Sequence, residues 1–289
     1  MRVLVTGAAG FVASHLIPAL AAAGHDVYAV DRDAARVSHL PATPVERDLS
    51  RPLEDLPEVD AAVHLAQANV PFPDEARTLH AVNVASTVDL LDHCRRCGAE
   101  RFVYASSGSV YGFGSAPFKE TDPPEGRDFY AVSKLSGELA VQAYAPFLST
   151  FIARLFVPYG PGQRARMIPR LIERVRAGEP VTVNDGGHPR MNPLYVDDVV
   201  RVFLAALELD GHHLVNVGGD EAAGIDELAA LIGRAVGREA VIEQAEGGAP
   251  GDVVGDTARL HELFDLRPLV PLRDGLRATA EVGAVASRP

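Results

Sequence analysis

Short apolar runs alternate with amphipathic stretches along the first half of this chain. Arg2-Val-Leu-Val-Thr6 has the length and β-branched content of a buried strand, Phe11 to Ala23 repeats its apolar residues at helical spacing, and Asp26 to Val30 returns to a strand pattern. Further strands are predicted at Ala61 to Leu65, Arg101 to Ala105, Thr150 to Leu155 and Leu214 to Val217, with helices near Glu75 to Arg96, Tyr130 to Tyr144 and Val196 to Leu209. Such alternation predicts an α/β domain, a parallel sheet covered by helices on both faces.

The texture changes after Leu155. Val157-Pro-Tyr-Gly-Pro-Gly-Gln163 precedes a helical stretch through Ala177 and a short run Gly178-Glu-Pro-Val-Thr-Val183, and the chain ends on helical patterns at Ile225 to Val236, Asp256 to Phe264 and Leu272 to Val282. The pattern predicts a main domain over 1–157, regained at about 192–217, and a smaller lobe made of 158–191 and 218–289. Without a repeat or low-complexity linker the two are expected to pack firmly, with the ligand in the crevice between them.

Composition removes several function classes. Against 27 Lys plus Arg stand 39 Asp plus Glu, a net charge of −12, and no basic cluster tracks a phosphate backbone, so nucleic acid is not an expected partner. The N-terminus begins directly with a strand pattern, and no apolar run reaches the roughly 18 residues of a membrane span, which predicts a cytoplasmic, membrane-free protein. The two cysteines, in Cys94-Arg-Arg-Cys97, sit in the last turn of a predicted helix without further ligands at metal-binding spacing, so they read as structural and no metal is expected.

Candidate chemistry lies at strand ends. Thr6-Gly7-Ala-Ala-Gly10-Phe11-Val12-Ala13 joins the first strand to the first helix, where small residues permit a tight turn and let a pyrophosphate approach helix N-terminal amides. Asp31 ends the second strand, placed to accept hydrogen bonds from an adenosine ribose and to repel a 2′-phosphate, which favours NAD; the adjacent Arg32 is suited to a phosphate and keeps NADP possible. Asp48-Leu49 either borders the adenine or caps a short helix. His64, ending a buried strand, is expected to be a satisfied core histidine. Tyr130-Ala-Val-Ser-Lys134 puts a phenol and an ammonium one turn apart, a spacing that any helix can show by chance but that also suits a base at an alcohol or ketone.

Taken in order, these motifs resemble the extended short-chain dehydrogenase/reductase family, in its NAD-dependent epimerase/dehydratase branch with the nucleotide-sugar 4-epimerases. The likeness runs from Arg2 to about Ala280 through Thr6-Gly-Ala-Ala-Gly10, His64-Leu-Ala66, Asn83-Val84, Ser106-Ser-Gly-Ser-Val-Tyr-Gly112, the Tyr130/Lys134 pair, Arg154-Leu-Phe, Tyr159-Gly-Pro-Gly-Gln163, Val196-Asp-Asp-Val199, Asn216-Val-Gly218 and Pro250-Gly-Asp252. The resemblance implies a Rossmann-type doubly wound sheet with a smaller α/β substrate lobe. It makes Tyr130 the general acid/base, Ser107 the residue that orients the reacting oxygen, and Lys134 the ribose ligand that lowers the tyrosine pKa. It places Gly7, Gly10, Phe11, Val12, Asp31, Arg32, Asp48, Leu49, Leu65, Ala66, Gln67, Asn83 and Phe156 along the cofactor, and implies a homodimer through the Glu75 to Arg96 and Tyr130 to Tyr144 helices.

Departures narrow the expectation. The Asp-Glu pair that follows the catalytic hydroxyl in the family's dehydratases is Gly108-Ser109 here, which disfavours a 4,6-dehydratase. Where many relatives hold a nucleotide diphosphate with Asn, Arg and Arg, this chain has Val157, Met191 and Ala249, with Arg190 one position away as a substitute and Arg164, Arg166 and Arg170 as other basic groups or merely solvated helix charges. The expectation is an epimerase of a sugar-like small molecule working by reversible hydride transfer. A ketoreductase whose substrate lacks the diphosphate is the alternative, and a silent dinucleotide sensor the third reading.

Overall fold

The alternating pattern becomes, in a computed structural model describing residues 1–184, 187–245, 247–248 and 251–285, a seven-stranded sheet in the order β10-β6-β5-β4-β1-β2-β3. Its strands are β1 (Arg2–Thr6), β2 (Asp26–Asp31), β3 (Thr43–Glu46), β4 (Ala61–His64), β5 (Arg101–Ser107), β6 (Ser149–Leu155) and β10 (His212–Val217). Both faces are buried. Leu4, Ala62, Phe102 and Ile152 pack with Leu90, Leu91 and Val141 in one core cluster, while Val3, Val5, Val63 and Ala153, pointing the other way, are equally closed to solvent, as in a sheet covered on both sides. The order reverses direction between β1 and β4, and parallel α/β sheets bind ligands beyond the carboxyl ends of strands at such a point.

Helices α1 (Phe11–Ala22), α2 (Ala76–His80), α3 (Ser86–Cys97) and α4 (Phe129–Ala143) accompany these strands. The helix expected over Glu75 to Arg96 is interrupted by a π turn at Ala81–Ala85, which carries the buried Asn83. Cys94 is fully buried in the core cluster and Cys97 lies 3.7 Å from the Val59 carbonyl oxygen, which makes both thiols packing groups. No described helix is long and apolar enough to cross a membrane.

The chain divides into two compact units. The first holds Met1–Gly112, Pro123–Leu155 and Val200–Val215; the second holds Phe113–Asp122, Phe156–Val199 and the chain from Asn216 onward. The assignment of Phe113–Asp122 to the second unit was not visible in the pattern. It arises because Gly114 N donates to Asp252 O at 2.9 Å and Phe118 N to Val254 O at 2.8 Å. Within this unit, α5 (Met167–Ala177), α7 (Ile225–Val236) and α9 (Leu272–Val285) enclose a core around Ile172, Val175, Leu228, Ile232 and Leu276, and β8 (Val181–Val183) pairs in parallel with β11 (Ile242–Gln244). Buried Asn192 donates to the carbonyls of Gly219 and Gly255 at 3.0 Å each and accepts from Gly255 N at 3.0 Å, closing three chain segments together.

His64 shows how polar groups are accommodated in the first unit. Its Nδ1 lies 2.6 Å from Thr6 Oγ1 and its Nε2 3.1 Å from Thr87 Oγ1, so both ring nitrogens are satisfied inside the sheet. Burial, and secondarily the Lys134 charge, push the imidazole from its ordinary 6.5 down to about 3. Because the folded value is the lower one, the unfolded chain takes up this proton first, and stability falls as the pH drops from 6.5 towards 3, by up to roughly 1.4 kcal/mol per pH unit. In His64→Gln the thermal midpoint should therefore fall less steeply than in the parent between pH 6.5 and the carboxylate range; parallel slopes would contradict a neutral buried imidazole.

Candidate functional site

The glycine-rich turn after β1 is shaped by close approach. Gly7 has φ +65°, and a Cβ there would lie 2.8 Å from Ala66 Cα, so neither the conformation nor the space admits a side chain. Gly10 N closes the turn on Gly7 O at 2.8 Å, and a Cβ on Gly10 would meet that oxygen at 2.9 Å. Gly10 caps α1 without a side-chain hydrogen bond, which leaves the first amides of the helix, at Phe11 and Val12, without a side-chain cap, as a helix N-terminus that receives an anion requires. Asp31 completes the turn: its Oδ2 accepts from Ala9 N at 3.0 Å, and Arg36 Nη1 stands 4.0 Å from its other oxygen.

The remaining expected cofactor positions divide in two. Arg32 is exposed. Asp48 Oδ1 accepts from Ser50 N at 2.9 Å and Ser50 Oγ at 2.8 Å, and these bonds, with Arg51 and Arg32 nearby, hold its carboxyl below the usual range, as in a local capping turn. Leu49 and Ala66 belong to the core cluster, and Leu65 is half-buried. Phe156, in the second unit, is buried where a Cβ on Gly255 would come 2.6 Å from its ring.

Asn83 acts as a clamp. Its Oδ1 accepts from Ala68 N at 2.7 Å, and its Nδ2 donates to Ala68 O at 3.1 Å and to Ser133 Oγ at 2.9 Å. Ser133 Oγ in turn donates to Tyr130 O at 2.7 Å. A buried side chain on the π turn thus ties the loop after β4 to the first turn of α4.

Ser107 ends β5 and accepts from Ser109 N at 3.2 Å, capping the 3₁₀ turn Gly108–Tyr111. Asp128 caps α4 through Ala131 N at 2.7 Å, immediately before Tyr130. The half-buried Tyr130 donates its hydroxyl hydrogen to Gln67 Oε1 at 2.6 Å. Lys134, 1% exposed, donates from Nζ to Ala105 O at 2.8 Å and lies 5.1 Å above the Tyr104 ring. Burial drives its ammonium down to about 7, against the partial support of Glu138 one turn further along α4. An amine poised in that range gains or loses its charge with small changes in its surroundings, as suits a group that must favour a phenolate on demand.

Below this layer lies an ion pair that the sequence pattern did not single out. Glu138, with no exposed surface, accepts from Ser106 Oγ and from Arg154 through Nε at 2.9 Å and Nη2 at 2.6 Å. The Arg154 guanidinium also lies 4.6 Å from the Tyr111 ring centroid. Removing one partner of such a pair costs about 3–5 kcal/mol, because the other charge is left buried alone. The usable signals were Arg154 inside an apolar strand and Glu138 on the same helix face as Lys134.

On the substrate side, Arg190 Nη1 lies 3.0 Å from Glu227 and its Nη2 donates to Ala222 O at 2.7 Å, while its backbone N donates to Asp252 at 2.8 Å. Met191 is buried, exchanging backbone hydrogen bonds with Ala223. Val157 has φ +47°, a left-handed conformation costly for a β-branched residue and easy for Asn. Arg164, Arg166 and Arg170 are exposed, and Ala249 lies outside the described residues. Among the described residues no cluster of three His, Cys, Asp or Glu stands ready for a metal ion.

Comparison with known proteins identifies the family. The profile of the NAD dependent epimerase/dehydratase family matches residues 3–218, and the chain belongs to that family. It is 32% identical to a UDP-glucose 4-epimerase of Mycolicibacterium smegmatis, covering 97% of this chain and 98% of that one. It is 35% identical to a GDP-6-deoxy-D-mannose reductase of Pseudomonas aeruginosa over 96% and 95% of the two chains. Its fold matches a UDP-glucuronic acid 4-epimerase from Bacillus cereus, in complex with UDP-glucuronic acid and NAD, with a TM-score of 0.86 at 28% identity over 99% and 100% of the chains.

The Asp31 geometry yields a test. Asp31→Asn keeps an acceptor for the Ala9 amide but removes the charge that repels a 2′-phosphate, so the ratio of NADP to NAD affinity should rise at least about tenfold by calorimetry. An unchanged ratio would remove Asp31 from the ribose site.

Proposed function

We propose that this protein is a nucleotide-sugar epimerase that works through Ser107, Tyr130 and Lys134 at a secondary alcohol. The observation that carries the reading is the buried Lys134 ammonium one turn beyond Tyr130, on a helix whose neighbour β5 ends at Ser107 on the same carboxyl edge of the sheet as the Gly7–Gly10 turn. The first unit carries the cofactor and proton-transfer groups in this reading, and the second unit supplies the groups that hold the sugar.

Each side chain has a distinct task. Tyr130 takes the hydroxyl proton as the carbinol carbon is oxidised and returns it when that carbon is reduced from its other face. Ser107 holds the reacting oxygen by hydrogen bonding, and Lys134 stabilises the phenolate in a site of low polarity. NAD, held at the Gly7–Gly10 turn with Asp31 at the adenosine ribose, supplies an acceptor from which the hydride can be recovered. Val157 is the substrate neighbour in this reading, while Arg190, already engaged by Glu227 and Ala222, shapes the second unit.

A second reading, a reductase of a keto sugar, draws on the similarity to the Pseudomonas aeruginosa reductase. The two differ in redox balance. Incubation with UDP-glucose or UDP-glucuronic acid should change the configuration at one carbon, seen by NMR, without net formation or consumption of NADH; stoichiometric NADH consumption with a keto sugar would favour the reductase. Under either reading Tyr130→Phe should lower turnover by about 10²–10⁴-fold with the thermal midpoint retained. Turnover within a few-fold of the parent would unseat Tyr130.

The same reading includes a homodimer. Val88 on α3, Val132 and Leu139 on α4, and Phe147 just beyond it are 40%, 43%, 58% and 64% exposed, large apolar side chains on adjacent helices of one unit. Light scattering at micromolar concentration should give twice the chain mass, and Leu139→Glu should halve it. A monomeric parent would refute the dimer.

A further inference from the structure

Gln67 was expected only to border the cofactor, yet its carboxamide oxygen receives the Tyr130 hydroxyl hydrogen at 2.6 Å. The geometry points to Gln67 as a further member of the proton-transfer apparatus, an acceptor that holds Tyr130 as an oriented, neutral phenol and so sets the pH at which it becomes a base. The inference rests on Tyr130 being the proton-transfer group.

The bond is built into the scaffold at both ends. Gln67 is next to Ala68, whose N–H and C=O are both taken by Asn83; Asn83 also holds Ser133, and Ser133 holds the Tyr130 carbonyl. Gln67 and Tyr130 therefore close a ring of hydrogen bonds around one buried side chain. Phe72, further along the same loop, stacks on Phe129 at 4.8 Å with 13° between planes, fixing the loop to the residue before Tyr130. On the other side of Gln67, Ala66 N donates to Thr6 Oγ1 at 3.3 Å and Ala66 Cα lies in the space a Cβ on Gly7 would occupy.

Several charged or titratable groups on the neighbouring elements are engaged elsewhere. On α4, Asp128 is occupied by the Ala131 amide and Glu138 by Arg154; on β5 Tyr104 is held protonated by burial, and on β4 His64 is neutral. Tyr111 lies against Arg154, and Asp74, Glu75, Arg77 and His80, on the loop after Gln67 and on α2, are exposed. A cation near a phenol favours the phenolate, whereas an acceptor on its O–H favours the phenol. Lys134, one turn further along α4, favours the phenolate and Gln67 the phenol, and a substrate hydroxyl that displaces Gln67 removes the second of these influences.

The test titrates NAD-loaded protein without substrate, following near-ultraviolet tyrosinate absorbance. The chain has seven tyrosines, so each variant is compared with the same variant carrying Tyr130→Phe, and the difference isolates Tyr130. Gln67→Glu, which keeps shape and acceptor but adds negative charge, should raise the Tyr130 midpoint by about one pH unit or more; Gln67→Ala should lower it by about one unit. A midpoint unmoved in Gln67→Glu overturns the role of Gln67, even in an active epimerase. A shifted midpoint in protein that turns over no nucleotide sugar sustains Gln67 and overturns the proposed activity instead.

Discussion

Helix α4 lies so close to β5 that a Cβ on Gly137 would come 2.2 Å from the Tyr104 hydroxyl oxygen, and the reaction centre depends on that approach. A side chain at Gly137 would push the helix off the sheet or displace the Tyr104 ring. Lys134 Nζ would then lose the Ala105 carbonyl, and Glu138 would lose Ser106 and Arg154. The close approach also removes water, which is why Lys134 feels its burial so strongly and why one carboxylate a turn away matters to it. Lys134 sits in a dry environment only because the helix is pressed onto the sheet.

A second constraint acts from the other side. The π turn adds a residue to the helix turn and directs Asn83 inward, where it holds the loop after β4 and the first turn of α4 together. The Gly7 turn presses against Ala66 on that loop from below. Cofactor turn, loop and catalytic helix are thus mutually fixed within the first unit by backbone contacts and one buried amide. Such a scaffold suits a reaction whose protons must leave and return along one path.

The second unit lacks the polar groups expected on the substrate side at the positions where the resemblance puts them. Val157 keeps a left-handed conformation in which Asn is comfortable and valine is strained, and Met191 fills a buried position in the lobe's core where many relatives use an arginine. Arg190 is present, but its charge is spent on Glu227 and a carbonyl. Relatives of this chain include both an epimerase and a reductase, so one fold serves more than one reaction.

Periodicity by itself determined six of the seven strands of the main sheet and its helices, because buried parallel strands and amphipathic helices write their burial directly into the apolar pattern; β3, a largely exposed edge strand, lacks that pattern and was missed. The glycine turn, Asp31 and the Tyr130/Lys134 pair were legible as candidates for a similar reason, since each lies at a strand end or on one helix at short spacing; Ser107 was singled out only through the family resemblance. The Glu138–Arg154 pair, the Asn83 clamp and the Gln67 bond to Tyr130 were not, since their partners are separated by 16, 50 and 63 positions. Equally, Phe113–Asp122 joined the second unit through backbone bonds to residues near 252 and 254 and through Asn216, which donates to Glu120 and to the Phe118 carbonyl, partners about a hundred positions or more away in sequence. Local pattern decides which groups stand on each element; only the packing of helix on sheet decides which of them meet, how dry the meeting place is, and hence which charge a lysine or a tyrosine carries there.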